Sequence, residues 1–156
     1  MRAVLAVAAF AIAFGAQAAQ AQCRDDLALF RFEGGQARFS VEIADDPGKR
    51  AKGLMGRQKL ASGAGMLFIY EQPQEVAFWM KNTPLPLDMV FIDQQGRVVR
   101  VHDGAVPFDE TPIPSGAAVL MVLEINGGLA ARIGLKPGAE LAHPRIESKI
   151  ALYPCE

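Results

Sequence analysis

Few side chains in this sequence are of types that do chemistry, and most of them lie around one segment. Lys81-Asn82-Thr83-Pro84-Leu85-Pro86-Leu87-Asp88 interrupts two apolar runs, Phe78-Trp79-Met80 and Met89-Val90-Phe91-Ile92. A hairpin needs only about two to five polar residues with Gly or Asn. This connection carries a cation, an amide, a carboxylate and two leucines. Pro84 and Pro86 remove backbone donors and push the residues before them to extended geometry, so Lys81, Asn82 and Asp88 are expected at fixed relative positions. The segment is either a rigid, partly buried corner or the wall of a site.

His102 joins the group through pairing. A turn at Gln94-Gln95-Gly96 folds Asp88–Asp93 onto Arg97–Asp103, and equal counting from that turn sets Asp88 opposite His102. Carboxylate beside imidazole is the usual pairing for acid–base work, and it is also an ordinary way to satisfy a histidine at a rim. Trp79, the only tryptophan, alternates with Phe78 and Met80. If Val76, Phe78 and Met80 enter the core, Trp79 stands on the opposite face beside Lys81, where an indole is either a binding platform or packing under the proline segment.

The remaining chemistry is thin. There is no G-x-S-x-G elbow, and the two histidines, His102 and His143, lack metal-ligand spacing. The glycines of "EINGGLAARIG" resemble a phosphate-binding helix start, but a third glycine and the lysine of a P-loop are missing, and Asn126 as a helix cap accounts for the pattern equally well. No metal and no cofactor is expected.

The elements that must position these residues are short and mostly extended. Leu27–Phe32 and Ala37–Ile43 flank Glu33-Gly34-Gly35-Gln36, and Phe39, Val41 and Ile43 alternate with Arg38, Ser40 and Glu42, the period of a half-buried hairpin. Asp46-Pro47 starts a short helix with Ala51, Leu54 and Met55 on its apolar side. Further strands are expected at Met66–Tyr70, Glu75–Met80, Asp88–Asp93, Arg97–Asp103, Ala117–Ile125 and Glu140–His143, with Ile150–Tyr153 closing the sheet. A second short helix follows Asn126-Gly127-Gly128 and ends near Gly134. The pattern predicts a mainly β fold, a compact antiparallel sandwich or barrel with one or two short helices.

Met1-Arg2, the uncharged run Ala3–Gly15 and A-x-A sites ending at Ala18 or Ala21 have the layout of a secretory signal peptide. With Ala21 as the cut, residues 22–156 form one domain, periplasmic or secreted, with no later run of membrane-spanning length. The 16 Lys+Arg against 17 Asp+Glu give no basic field for nucleic acid. In an exported chain, Cys23 and Cys155 read as a disulfide across the two ends.

Five phrases of the chain, "RAKGLMGR", "GMLFIY", "FWMKNTPLPLDMVFID", "ETPIPSG" and "VLEINGGLAARIGLKPG", resemble in this order domain-of-unknown-function family 192, a set of small bacterial and archaeal proteins. The resemblance runs from about Phe39 to His143. It implies a compact β sandwich or barrel with a short helix, and it carries over no catalytic residue. The expectation is therefore a monomeric domain that binds a small molecule or peptide at a loop-rimmed site of Trp79, Lys81, Asn82, Asp88 and His102. The alternatives are a hydrolase or lyase using Asp88 and His102, and a structural envelope protein without a ligand.

Overall fold

The structure, a computed structural model, describes residues 22–155. The expected signal peptide lies outside them. The chain is mainly β with two short helices. In order it runs β1 (Leu27–Phe32), β2 (Gly35–Ala44), α1 (Pro47–Lys52), β3 (Ala64–Gln74), β4 (Ala77–Phe78), β5 (Leu87–Ile92), β6 (Val98–Ala105), β7 (Ile113–Pro114), β8 (Val119–Asn126), α2 (Leu129–Ile133) and β9 (Glu140–Ala142). Seven strands form one sheet in the order β6-β5-β8-β3-β2-β1-β9, curled into a half-barrel. Its edges approach at one end, where Arg97 bridges Glu140 and the Val98 N–H donates to the Ala139 carbonyl at 2.8 Å.

The central strands are apolar because both their faces are covered. Val90, Ile92, Leu123, Ile125, Leu67 and Phe30 fill one face with α2. Met89, Phe91, Val122, Met66 and Phe68 line the other, under Leu54, Phe78, Met80 and Ile113. That second cover consists of the turn after α1 and a two-stranded ribbon of β4 and β7.

Three departures from the expected strand plan have local causes. The β2–β3 pair is parallel, because α1 returns the chain in a crossover rather than a hairpin. Only Ala77–Phe78 of the expected strand Glu75–Met80 is extended and paired, and its partner is Ile113–Pro114 rather than the main sheet. The strand beside β1 at the sheet edge is Glu140–Ala142; the segment Ile150–Tyr153 contributes no strand, and Tyr153 instead packs with Cys23 and Cys155.

Asp46 caps α1 through the Lys49 N–H at 2.8 Å, with Pro47 in the first turn. The helix stops at Lys52, so Leu54 and Met55 belong to the following turn. Cys23 and Cys155 are joined, with Cα atoms 5.5 Å apart.

Candidate functional site

Asp88 lies at the end of the proline corner, at the start of β5, and is fully buried (0 % exposed). Its Oδ1 accepts hydrogen bonds from the Gly104 and Gly128 N–H groups, and its Oδ2 accepts one from Ala130, all at 2.8 Å. Two of these donors belong to the start of α2, which has no capping side chain of its own. Asp88 thus satisfies orphan donors that a helix start leaves. Asn126, the expected cap, donates instead to the Leu60 and Ala61 carbonyls. Gly127 passes so close to the corner that an added Cβ would lie 3.0 Å from Pro86.

His102 is not opposite Asp88. Ile92 pairs with Val98, but Phe91 pairs with Arg100, and from there Met89 pairs with His102. Val99 is the extra residue of a β-bulge, and the one-residue slip holds from Phe91–Arg100 through Met89–His102, before a second irregularity ahead of Leu87–Ala105. His102 therefore shares the face of Met89, whereas Asp88 lies with α2 behind the sheet. The expected shared cleft, and with it an Asp88–His102 acid–base pair, does not form. His102 lines a cleft of about 370 Å³ with Met80, Arg100, Asp103 and Ile113.

A different acid occupies the centre of that face. Glu124 on β8 is in register with Met66 on β3 and Met89 on β5. The residue is 4 % exposed, no hydrogen bond to its carboxyl forms among the described residues, and because no fully enclosed side-chain oxygen there lacks a partner, its oxygens keep contact with the cleft. Burial alone pushes its carboxyl up to about 8. The residue lines a cleft of about 310 Å³ between α1, β3 and β4, whose walls include Arg50, Leu54, Phe68, Tyr70, Phe78 and Trp79. Burial raises the Tyr70 hydroxyl as well, helped by the Glu124 charge and opposed by Arg50.

The cleft is held open by neighbours committed elsewhere. Phe78 meets Phe68 edge to face at 4.9 Å and Phe91 at 6.2 Å, which fixes one wall. Arg50 donates to the Ile69 carbonyl at 2.8 Å and lies 5.0 Å above the Tyr70 ring. Thr83, buried in the proline corner, lines the cleft and donates to the Lys81 carbonyl at 3.0 Å. The ribbon of β4 and β7 separates this cleft from the one at His102, Phe78 lining the first and Ile113 the second.

Of the five residues expected to bind, one, Trp79, lines this cleft, with Lys81 beside its ring. Trp79 is 47 % exposed in its wall, and Lys81 Nζ stands 5.1 Å from the indole centroid. Asn82 adopts positive φ (51°), and its carbonyl accepts from the Gly56 N–H, tying the corner to the turn after α1. No group of three His, Cys, Asp or Glu side chains placed to hold a metal occurs among the described residues.

The model of domain-of-unknown-function family 192, described as an uncharacterized ACR family, matches residues 30–143. The chain belongs to this family. Two solved structures are similar to it. A protein of unknown function from Novosphingobium aromaticivorans is 43 % identical, with a TM-score of 0.72 over 74 % of this chain and 82 % of that one. A Sinorhizobium meliloti protein, provisionally described as a transcription regulator, is 39 % identical, with a TM-score of 0.73 over 79 % of this chain and 96 % of that one. No curated protein matches. Four of the phrases that carry the resemblance to family 192 meet at the Glu124 cleft: Arg50–Met55, Phe68 and Tyr70, Phe78, Trp79 and Thr83, and Glu124 itself.

Proposed function

We propose that this member of family 192 is an exported binding domain whose site is the Glu124 cleft, and that it takes a small molecule or the end of a peptide. The observation that carries the reading is Glu124: a residue 4 % exposed, whose carboxyl makes no hydrogen bond to the protein among the described residues and faces a cleft of ligand size. Burying a polar group without a hydrogen bond costs free energy, and a ligand that meets the carboxyl recovers it. The aromatic walls supply apolar contact around that one polar point. Trp79 forms part of the wall, with Lys81 beside its indole, while Asp88 and His102 lie outside the site.

Export is part of the same reading. It is supported by the leader-like pattern of residues 1–21 and by the Cys23–Cys155 bond, which persists in oxidising compartments. The regulator description of the Sinorhizobium relative does not extend here as DNA binding. The net charge is −1, and Lys49, Arg57 and Arg145 are each paired with a carboxylate.

Thermal melts against a panel of small metabolites and short peptides test the reading. Ala77 is exposed and lines the cleft, so a bulky side chain there should obstruct the cleft while leaving the core in place. Wild type should be stabilised by at least one class of compound, by about 2.7 kcal/mol at a hundredfold over its Kd, and Ala77→Trp should lose that shift. A stabilisation that survives Ala77→Trp unchanged, or none with any compound, contradicts it.

A further inference from the structure

We propose that the Glu124 cleft selects small organic acids, molecules whose inner end offers a carbonyl or amide oxygen to the Glu124 carboxyl and whose carboxylate lies beside Arg50 and Lys52. This rests on the reading of the cleft as a binding site and names what that site takes.

The charges that line the cleft are Arg50, Lys52 and Glu124. Burial keeps the Glu124 carboxyl mostly protonated at neutral pH. The buried side of the cleft is then a neutral O–H donor, the largely covered Arg50 adds positive charge in the wall, and the exposed Lys52 adds it at the rim. A carboxyl in that form seeks an acceptor, and a carbonyl or amide oxygen provides one. Arg50 retains donors beyond the one given to Ile69, because its second bond, to Glu71, is long at 3.4 Å and made to an exposed carboxylate. Lys52 is exposed and makes no ion pair within 4 Å among the described residues, although it also borders the neighbouring cleft, where its charge acts on Glu42. Between the buried side and the rim, Leu54, Met55, Phe68 and Phe78 suit hydrocarbon.

A cationic ligand fits worse, although aromatic walls with an acid beneath suggest one. Two of the ring faces already hold the protein's own cations, Arg50 over Tyr70 at 5.0 Å and Lys81 over Trp79 at 5.1 Å. An amine would meet Arg50 and Lys52 on entry, and it would have to displace the Glu124 proton to solvent before pairing. The titratable or charged groups on elements around Glu124 are Tyr70 on β3, Arg50 and Lys52 at α1, His102 beyond Met89, and Glu42 beyond Met66, the last held by Arg57.

Short N-acyl amino acids carry an amide carbonyl and a carboxylate on one small frame, so they serve as probes. N-acetyl-leucine and N-acetyl-phenylalanine, their C-terminal amides, and isoamylamine and phenethylamine are titrated into the whole protein with Trp79 fluorescence as readout. The acids should bind, and their amides should bind about tenfold or more weakly. Acid affinity should fall by about tenfold between roughly pH 6.5 and pH 9, because only the protonated carboxyl is competent. Glu124→Gln keeps a donor but cannot ionise, so the acid affinity it retains should show no pH dependence. Lys52→Gln, at an exposed position that does not threaten the fold, should weaken the acids and leave the amides unchanged. Amines binding more tightly than acids, with affinity rising toward pH 9, overturn the ligand class and leave the binding site standing. No response to any of the three classes overturns both.

Discussion

Asp88 and Glu124, the two buried carboxyls among the described residues, sit one residue apart in the register of β5 and β8 and point to opposite faces of the sheet. Asp88 pairs with Ile125, and Met89 pairs with Glu124. One carboxyl is saturated by three backbone N–H groups; the other makes no hydrogen bond to the protein among the described residues. The first is architecture and the second is available to a ligand.

Asp88 should therefore be needed for stability. Truncation to Ala orphans three N–H donors, at roughly 1–3 kcal/mol for each buried one. Asp88→Ala should lose about 3 kcal/mol or more in urea denaturation. Asp88→Asn should lose less, because its oxygen can still serve Gly104 and Gly128 while its amide nitrogen faces Ala130. A loss below about 1 kcal/mol for Asp88→Ala would contradict the structural role.

Glu124 should act in the opposite sense. Its folded pKa is raised from 4.5 to about 8, so between those values the native state holds a proton that the unfolded chain has released. Stability then falls as pH rises through that window, by up to about 1.4 kcal/mol per unit, and is flat beyond it. Glu124→Gln should remove this slope and be more stable than wild type near pH 8. Parallel wild-type and variant curves of stability against pH would refute the buried, unpaired acid.

His143 opposes this on the acid side. It is buried, its Nε2 lies 3.0 Å from the Asp25 carbonyl, and its Nδ1 accepts the Arg145 N–H at 3.2 Å. Burial holds its pKa below 6.5, so stability is present above that value and is lost as pH falls below it. In the Glu124→Gln background, which isolates the effect, His143→Gln should flatten the limb below about pH 6.5. An unchanged acid limb would place the titration elsewhere.

Reduction of Cys23–Cys155 should be costly. Closing a loop with a sequence separation of 132 stabilises by roughly 5 kcal/mol in the chain-entropy model, less any native strain. Thiol labelling of denatured, unreduced protein should find no free cysteine, and the reduced protein should melt well below the oxidised one. Two labelled thiols per chain, or equal melts, would contradict this.

The β character, the hairpin turning at Gln94-Gln95-Gly96, the α1 start at Asp46-Pro47 and the Cys23–Cys155 pair were all readable from residue types, because each rests on local chemistry. The candidate site was readable only in part. Trp79 and Lys81 announce themselves as an exposed indole beside a cation. The bulge at Val99 has no glycine to mark it, so symmetric counting sets Asp88 against His102 and mistakes which face each occupies. Glu124 left one signal, a lone acid within the otherwise apolar "VLMVLEI". A carboxyl on a strand buried on both faces must find a partner, shift its pKa or meet a ligand, and the first of these is what the fold withholds.

The most direct test of the central claim is NMR observation of the protein labelled at the Trp79 indole, the Glu124 side-chain carboxyl carbon and the His102 ring, during titration with a compound that stabilises it. A ligand in the Glu124 cleft should shift the Trp79 and Glu124 signals together and leave His102 unmoved. Shifts confined to His102, or a stabilising compound that moves neither Trp79 nor Glu124, would contradict the account.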